Sequence, residues 1–262
     1  MITSSSNSKV KLVRGLQTQA KRRQAESAFA AEGVRLLEEA AAVRWPMDFV
    51  LYDETLSERG QALLVELRDK LGIEASEITP ALMAELSDTE TPQGILAVLK
   101  SRLLPLPPDP DFLVIADNVR DPGNLGTILR TAEAAGAQAV LLSPGTVDAF
   151  SPKVVRAGMG AHFHLPIHPL GWEGIKNTLG DLPVFLAQPE DGTPLWEANL
   201  RQPCALLIGG EAFGASTQGA AIATHPVTIP MAGRAESLNA AAAAAILMAE
   251  VLRQRYENKK ES

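Results

Sequence analysis

The chain has 262 residues, of which 46% are apolar and 21% charged, enough to form one large domain or two ordinary ones. Its formal charge of −7 argues against indiscriminate binding to nucleic acid, and its single cysteine excludes an internal disulfide or a cysteine-based zinc site. The N-terminal sequence has no apolar signal core, and the longest apolar run, residues 240–249, falls well short of the ~20 residues that span a bilayer. We therefore expect a cytoplasmic protein without a membrane segment.

Charge is distributed unevenly along the chain. Residues 1–23 contain six basic side chains and no acidic one, which leaves 18 basic and 31 acidic residues in the remainder. A basic N-terminal segment on an acidic body favours contact with a polyanion at one end. A solvated helix face would produce the same run of charge, so the pattern alone leaves both interpretations open.

The first part of the chain is predicted to be mixed α/β. Apolar periodicity predicts helices over about 7–43, broken once or twice, and over 57–70 and 79–87. Two short apolar runs, "MDFVLY" and "GILAVLK", are typical of strands. After them, "SRLLPLPPDPD" contains four prolines, which predicts a stiff, extended linker.

These features divide the chain into two predicted domains, residues 1–100 and 112–262, joined by the linker over 101–111. In the second domain, apolar runs recur between helices or loops: "FLVIAD", "QAVLL", "HFHLPI", "PVFLAQ", "CALLIGG" and "PVTIP". Continuous apolar strands of this kind predict a mainly parallel sheet that is covered on both faces. Because ligands of open parallel sheets bind beyond the carboxyl ends of the strands, a site is expected in the loops that follow these runs.

The first such loop is "ADNVRDPGNLGTILRTAEAAG", residues 116–136. A strand is predicted to end at Asp117 and a helix to begin near Asn124, which can cap it. Arg130, six residues further on, is expected to reach back over the strand ends. The glycine spacing is not G-x-G-x-x-G, which disfavours a nicotinamide-dependent enzyme. Taken alone, the loop is equally consistent with an ordinary strand–turn–helix corner that carries a surface arginine.

The second loop is "LLIGGEAFGAS", residues 206–216. Gly209 and Gly210 at a strand end permit a pocket lined by backbone, with Glu211 at its mouth. A simple turn with an exposed acid is the alternative.

The third segment is "IPMAGRAESLNAAAAAAILMAEVLRQR", residues 229–255. Ser237 is predicted to cap the last helix, and the first amides of that helix are predicted to point toward the same end of the sheet. Its small apolar side chains predict burial on all sides. A plain core helix explains the alanines equally well, but it does not explain a serine and an asparagine at the entrance.

Together, "NLGTILRTAEAAG", "LLIGGEAFG" and "IPMAGRAESLNAAAAAAI" resemble the three motifs of the SpoU/TrmH branch of the SPOUT RNA methyltransferases, in the order and at the spacing of that family. The N-terminal half, from "NSKVKLVRGLQ" to "TPQGILAV", resembles the ribosomal-protein-like substrate-binding domain of many members. The resemblance implies a C-terminal α/β domain with a trefoil knot and a mainly parallel sheet, plus a smaller N-terminal α/β domain.

The resemblance also implies a function. Members of the family use S-adenosylmethionine to methylate a ribose 2′-oxygen in structured RNA, and they form homodimers through the C-terminal domain with active sites at the subunit interface. The appended N-terminal domain favours ribosomal RNA as the substrate. A tRNA 2′-O-methyltransferase and a catalytically inactive RNA-binding module are the alternatives.

The family motifs place the expected catalytic residues at Arg130, Asn124, Glu211, Ser237 and Asn239. Arg130 is expected to act either as a general base or as a cation that stabilises the developing alkoxide, since a free guanidinium rarely gives up its proton. The expected cofactor-binding residues are Gly209, Gly210, Ile229, Met231 and Leu238.

RNA phosphates need basic partners, and the candidates are Lys9, Arg14, Lys21, Arg22, Lys153 and Arg156. No metal is expected, because the histidines clustered in "HFHLPIH" have no carboxylate or cysteine partner nearby in the sequence.

Overall fold

The computed structural model describes residues 1–211 and 214–261. Up to residue 102 the helices are α1 (Ser8–Thr18), α2 (Ala20–Glu26), α3 (Val34–Ala42), α4 (Glu58–Val65, followed by a π-helical turn over Glu66–Lys70) and α5 (Pro80–Leu86). The strands are β1 (Ala28–Glu32), β2 (Met47–Tyr52), β3 (Glu74–Glu77) and β4 (Ile95–Lys100).

Beyond residue 102 strands and helices alternate. The strands are β5 (Phe112–Asp117), β6 (Ala139–Leu142), β7 (Ile167–Pro169), β8 (Val184–Ala187), β9 (Thr193–Pro194), β10 (Cys204–Gly209) and β11 (His225–Thr228). The helices are α6 (Pro122–Ala134), α7 (Pro152–Gly158), α8 (Trp172–Leu179), α9 (Thr217–Ile222) and α10 (Ala240–Glu261), with 3-10 turns over Ala161–Phe163 and Leu195–Glu197.

The elements form two compact units. The first unit consists of Met1–Arg102 and Phe150–Phe163, and the second of Leu103–Ala149 and His164–Ser262. Within the first unit, α7 packs on β1. This division differs from the predicted one, because residues 150–163 group with the N-terminal part of the chain. Contacts between segments so far apart leave no local trace in the sequence.

The first unit contains a four-stranded sheet in the order β1-β4-β2-β3. Strands β1 and β2 run antiparallel to β4, and β3 runs parallel to β2 at the edge. The side chains of Val13, Leu51, Met83 and Leu96 form part of the core against one face of the sheet, and all four are fully buried.

The predicted helical stretch over about 7–43, broken once or twice, contains a strand that was not predicted, because "AFAAE" forms β1. Its alanines pair with β4 over a five-residue antiparallel ladder, from Ala28 opposite Lys100 to Glu32 opposite Leu96. The helical preference of alanine is worth less than about 1 kcal/mol per residue, so burial and strand pairing override it. Strand β3, "EASE", was also missed, because a polar edge strand lacks an apolar pattern.

The second unit contains a seven-stranded sheet in the order β7-β6-β5-β10-β8-β11-β9. Every pair of neighbouring strands is parallel, which confirms the predicted class of fold. The central strand β10 is almost completely buried over Cys204–Ile208, as expected for a sheet covered on both faces. Strand order does not determine how a chain is threaded, so the trefoil knot stays a prediction.

Five of the six predicted strands in this unit lie within one or two residues of their predicted positions. The run "HFHLPI" is the exception, because Ala161–Phe163 forms a 3-10 turn and the strand begins only at Ile167. Met159 and Gly160 both have positive φ angles, so the chain turns sharply just before this segment. The two-residue strand β9 is too short to give any periodic signal.

Helix α10 packs on α6 and β10 within the second unit. Its C-terminal part is fixed by the Gln254 side chain, which donates to the Ala198 carbonyl at 2.9 Å and accepts from the Leu200 amide at 2.8 Å. The helix is not buried on all sides in this chain, since Ala242 and Ala249 are exposed. Among the described residues, no helix is both long and apolar enough to cross a membrane.

The central strand of the second unit should be sensitive to loss of volume. Leu207 is fully buried in β10, so Leu207→Ala should lower the free energy of unfolding by about 2–5 kcal/mol. Leu103→Ala, at a side chain that is 54% exposed in the same unit, should change it by less than about 0.5 kcal/mol. Urea denaturation of both variants tests this, and equal losses would contradict the assignment of β10 to the core.

Candidate active site

A cavity of about 280 Å³ lies at the carboxyl edge of the parallel sheet in the second unit. It is formed by the ends of β8, β10 and β11, by the loops that follow them, and by the first turn of α10. Its volume is close to the lower end of the range for small-molecule sites, about 300 Å³ upward. The cavity is therefore located where ligands of open parallel sheets bind.

The five residues predicted to bind the cofactor all line this cavity: Gly209, Gly210, Ile229, Met231 and Leu238. Two of the predicted catalytic residues, Glu211 and Ser237, line it as well. Ala187 at the end of β8, and Gln188 and Pro189 directly after it, also line the cavity and were not predicted. The strand before them was predicted from the sequence, so the rule about strand ends could have identified them.

The backbone packed around the end of β10 leaves no room for a side chain at Gly209 or Gly210. A Cβ on Gly209 would lie 2.3 Å from the Ala215 nitrogen, and one on Gly210 would lie 2.2 Å from the Asn118 carbonyl oxygen. The loop closes on itself, with the amides of Gly210 and Gly214 donating to each other's carbonyl oxygens at 3.1 and 3.0 Å. Ala212 and Phe213 of the predicted motif lie outside the described residues.

A chain of hydrogen bonds connects the three predicted motifs. The Asn124 Nδ2 donates to Glu211 Oε1 at 2.8 Å, and the Asn124 Oδ1 accepts from Asn239 Nδ2 at 2.9 Å. The Asn239 Oδ1 in turn accepts from the amides of Ala241 and Ala242 at the start of α10. One residue from each motif is therefore held in direct contact with the next.

Two predicted helix caps are wrong. Asp121, not Asn124, caps α6, because its Oδ1 accepts from the Asn124 amide at 2.8 Å and Pro122 occupies the first helical position. Asn239, not Ser237, caps α10. Because the Asp121 side chain accepts from an amide in the first turn of α6, the side chain of Asn124 remains available to bridge the other two motifs.

Glu211 anchors one end of this hydrogen-bond chain. Burial alone would raise its pKa, but hydrogen bonds from Asn124 and from the backbone amides of Glu211, Arg120 and Asp121 outweigh burial and lower the pKa below 4.5. The carboxylate is therefore charged at neutral pH. A charged acceptor facing Asn124 fixes the orientation of that amide, with its oxygen toward Asn239.

Arg130 stands apart from this cluster. It is exposed on α6, roughly 1.7 turns beyond Asn124, and it has no hydrogen bond or ion pair with any described residue of this chain. Arg120 lies closer to the cluster, since its amide donates to Glu211 Oε2 at 3.3 Å and its Nε donates to Asn118 Oδ1 at 3.1 Å. Arg120 was not among the predicted site residues, although it lies in the loop directly after a predicted strand.

Asp117 is a second residue that the sequence analysis did not assign to the site. It is fully buried at the end of β5, where its Oδ1 accepts from Ser143 Oγ at 2.7 Å and its Oδ2 accepts from the Ser216 amide at 2.6 Å. These bonds satisfy the buried carboxylate and tie the loop after β10 to the end of β5. An aspartate that closes the otherwise apolar run "FLVIAD" was the signal in the sequence.

The residues predicted to contact RNA lie in the first unit. Four of them form ion pairs with neighbouring acids: Lys9 with Glu74, Arg14 with Glu85, Arg22 with Glu26, and Arg156 with Asp88. Exposed ion pairs are worth at most about 1 kcal/mol, so a phosphate can compete for these cations. Lys21 and Lys153 are exposed and have no ion-pair partner among the described residues.

The described residues contain no group of three histidine, cysteine or acidic side chains that could hold a metal ion. Two of the four histidines make specific contacts. The His168 Nε2 lies 2.7 Å from the Leu104 carbonyl oxygen, and the His225 ring stacks on the Phe185 ring. Both contacts are structural.

Comparison with known proteins places the chain in a family. Residues 111–249 match the model of the SpoU rRNA Methylase family, and residues 7–97 match that of the MRM3-like substrate binding domain. The chain therefore belongs to the SpoU rRNA methylase family, as its motifs predicted. It also carries a substrate-binding domain in its N-terminal part.

Two relatives align with almost the whole chain, and a third aligns with about half of it. The 23S rRNA (guanosine(2553)-2′-O)-methyltransferase RlmP of Bacillus subtilis (strain 168) is 35% identical, over 94% of this chain and 97% of that protein. The structure of an AdoMet-bound rRNA methyltransferase from Sinorhizobium meliloti has a TM-score of 0.85 and 32% identity, covering 96% and 97% of the two chains. A structure that concerns 2-OH methylation of C/U34 on tRNA matches 56% of this chain, with a TM-score of 0.51 and 28% identity.

The charge on Glu211 should contribute to stability in a pH-dependent way. Because its pKa is lowered in the folded protein, the contribution is complete above the unfolded pKa and is lost as pH falls through the lowered folded value. Glu211→Gln keeps an acceptor for Asn124 but removes the charge. The variant should therefore unfold at lower urea concentration than the wild type near neutral pH, and the two should converge at acidic pH, once the pH is below the lowered pKa of Glu211 in the folded protein.

Glu236→Gln is the matched control, because Glu236 is exposed in the neighbouring loop and has no hydrogen bond with a described residue. It should leave the urea midpoint unchanged at both pH values. A deficit of Glu211→Gln that stays the same at acidic pH would contradict the role given to the carboxylate.

Proposed function

We propose that this protein transfers the methyl group of S-adenosylmethionine to a ribose 2′-oxygen of ribosomal RNA. The observation that carries the proposal is the meeting of three distant motifs at one cavity, through the hydrogen bonds of Asn124 with Glu211 and Asn239. Membership of the SpoU rRNA methylase family supports the class of reaction. The AdoMet-bound relative from Sinorhizobium meliloti supports the cofactor.

The cavity fits such a cofactor. Ile229, Met231 and Leu238 provide an apolar wall for a flat ring, and Gly209 and Gly210 line the cavity with backbone because they have no side chains. Glu211 places a negative charge at the mouth, which favours a cationic ligand. When bound, S-adenosylmethionine supplies a methyl group on a positively charged sulfur, which is already a strong electrophile.

The residues of the chain then have two tasks, positioning the 2′-oxygen and stabilising its charge. The Glu211–Asn124–Asn239 hydrogen bonds hold the loops in a fixed geometry, which lowers the entropic cost of alignment. We assign Arg130 to stabilisation of the developing alkoxide, because a guanidinium carries a permanent positive charge and rarely gives up a proton. The hydroxyl proton leaves to water or to a phosphate of the RNA.

Ribosomal RNA is favoured over transfer RNA. The RlmP relative, which is named for 23S rRNA, aligns with almost the whole chain. The structure concerned with tRNA aligns with 56% of it. Residues 7–97, which match a substrate-binding domain, provide the additional surface that a large folded RNA needs. We place the protein in the cytoplasm, where a lone buried thiol such as Cys204 stays reduced.

Loss of the Arg130 side chain should slow methyl transfer without weakening cofactor binding. Arg130→Ala should lower kcat by about 10²–10³-fold on protein-free 23S rRNA, and its affinity for S-adenosylmethionine by calorimetry should be unchanged. Arg201→Ala, at another exposed arginine of the second unit, is the control and should retain full activity. Wild-type rates for Arg130→Ala would refute its assignment, and a wild-type protein that does not bind S-adenosylmethionine would indicate an inactive RNA-binding module.

We also propose that the protein is a homodimer through α10. Its exposed residues Ala242, Ala249, Leu252 and Tyr256 recur at intervals of seven, three and four, so they form one apolar stripe along the helix. Leu252 and Tyr256 are 49% and 59% exposed, and they adjoin the two alanines, so the stripe is a contiguous apolar patch of the kind that a partner covers. A second subunit would also provide partners for Arg130, which has no hydrogen bond or ion pair with the described residues of its own chain.

A charge in the middle of this stripe should separate the subunits. Ala249→Arg should elute as a monomer in size-exclusion chromatography with light scattering, whereas the wild type elutes as a dimer, because an arginine there would be buried against an apolar partner. Ala84→Arg, on the exposed side of α5, is the control and should remain dimeric. A monomeric wild type, or a dimeric Ala249→Arg, would contradict the interface.

A further inference from the structure

Arg120 lies beside the candidate active site, but the proposed reaction gives its side chain no role. It is exposed in the loop between β5 and α6. Its amide donates to Glu211 Oε2 at 3.3 Å, and Glu211 lines the cavity proposed to hold the cofactor. Arg120 itself does not line that cavity. Its guanidinium therefore lies outside the volume proposed for the cofactor, on the rim that the RNA has to approach.

The Arg120 side chain is held in one orientation by Asn118. Its Nε donates to Asn118 Oδ1 at 3.1 Å, while its two terminal nitrogens have no hydrogen bond with a described residue. A guanidinium anchored through Nε keeps its other N–H donors in a planar fork, and two of them match two oxygens of one phosphate. Lysine has no such fork, so the arrangement uses a property that only arginine has.

Asn118 is itself fixed by the ends of β5 and β6. It has a φ of +56°, a left-handed conformation that asparagine tolerates better than most residues. Its amide donates to Ser143 Oγ at 3.0 Å, and that hydroxyl donates to the fully buried Asp117 at 2.7 Å. A Cβ on Gly145 would lie 2.6 Å from Asn118 Oδ1, so the glycine leaves room for the side chain that orients Arg120.

The carboxylates near Arg120 do not neutralise it. Asp121 accepts from the Asn124 amide at 2.8 Å, and Glu211 accepts from the Asn124 Nδ2 at 2.8 Å. Neither forms an ion pair with Arg120, which has no ion-pair partner among the described residues. An exposed, oriented cation whose acidic neighbours bind other groups is suited to an anionic ligand from outside the chain.

We propose that Arg120 binds a phosphate of the RNA substrate close to the ribose that is methylated, and that Asn118 is its positioning residue. The inference rests on the proposed function for the identity of the substrate as RNA. S-adenosylmethionine also carries anionic oxygens, in its carboxylate, but Arg120 is not part of the wall of the cofactor cavity. The position of Arg120 outside this wall favours the phosphate.

The test measures binding of RNA and of cofactor separately. Arg120→Ala should raise the KM for protein-free 23S rRNA about tenfold, the effect of losing one charge-assisted contact. It should leave kcat nearly unchanged, because the contact is made equally in the ground state and in the transition state. In filter binding, the slope of log affinity against log salt should become shallower by about 0.7–0.9, the value for one phosphate. Affinity for S-adenosylmethionine by calorimetry should not change.

Arg201→Ala is the matched control. Arg201 is an exposed arginine of the same unit that precedes β10, so it lies at the amino edge of the sheet, opposite the site. This variant should keep the wild-type KM and the wild-type salt slope.

A second variant tests the positioning role of Asn118. Asn118→Gly keeps a residue that adopts the left-handed conformation, but it removes the amide that holds the guanidinium. It should raise the KM for rRNA about threefold, the effect of ordering one long side chain on binding, and it should keep the wild-type salt slope because the charge remains. Combined with Arg120→Ala, it should add no further loss, since both changes remove the same contact.

The outcomes separate this inference from the proposed function. Equal KM values and salt slopes for Arg120→Ala and the wild type, in an enzyme that methylates rRNA, would overturn the inference alone. A weaker affinity for S-adenosylmethionine with unchanged rRNA binding would also overturn it, because the guanidinium would then bind the cofactor carboxylate. Additive losses in the double variant would refute the role of Asn118. Weaker rRNA binding by Arg120→Ala with a shallower salt slope would support the contact even if the wild type transferred no methyl group.

Discussion

The side-chain amide of Asn124 is the connection on which the site in the second unit depends. Its nitrogen donates to Glu211, its oxygen accepts from Asn239, and Asn239 caps α10, so three loops from distant parts of the chain share one hydrogen-bonded arrangement. The amide can serve both partners because its donor and acceptor face in opposite directions. A carboxylate at one end and a helix N-terminus at the other fix that direction, which gives the cavity a defined wall.

The parallel sheet makes this connection possible. When neighbouring strands run in the same direction, all of their carboxyl ends lie at one edge, and the loops that follow them meet there whatever their separation in the sequence. Buried Asp117 strengthens the arrangement, because it ties the loop after β10 to the end of β5 through the Ser216 amide. The glycines of β10 then allow two stretches of backbone to approach within van der Waals contact.

Much of the second unit could be predicted because its signals are local. The apolar runs that form β5, β6, β8, β10 and β11 were identified from the sequence, and all five residues that the motifs predict to bind the cofactor line the cavity. The sequence predictions failed where tertiary contacts override the local conformational preference of the residues. Alanine-rich β1 was predicted as helix because only pairing with β4 makes it a strand. Residues 150–163 gave no sign that they pack in the first unit.

The sequence by itself determined the class of fold, the family, the location of the cavity and the types of residue at its edge, because strand runs and motif residues are local patterns. Only the tertiary structure decided which side chains make which contacts. Asp121 rather than Asn124 caps α6, Asn239 rather than Ser237 caps α10, and Arg130 remains apart from the cluster. Such choices depend on distances between groups that are far apart in the chain, and a sequence pattern contains no information about those distances until the sheet brings the loops together.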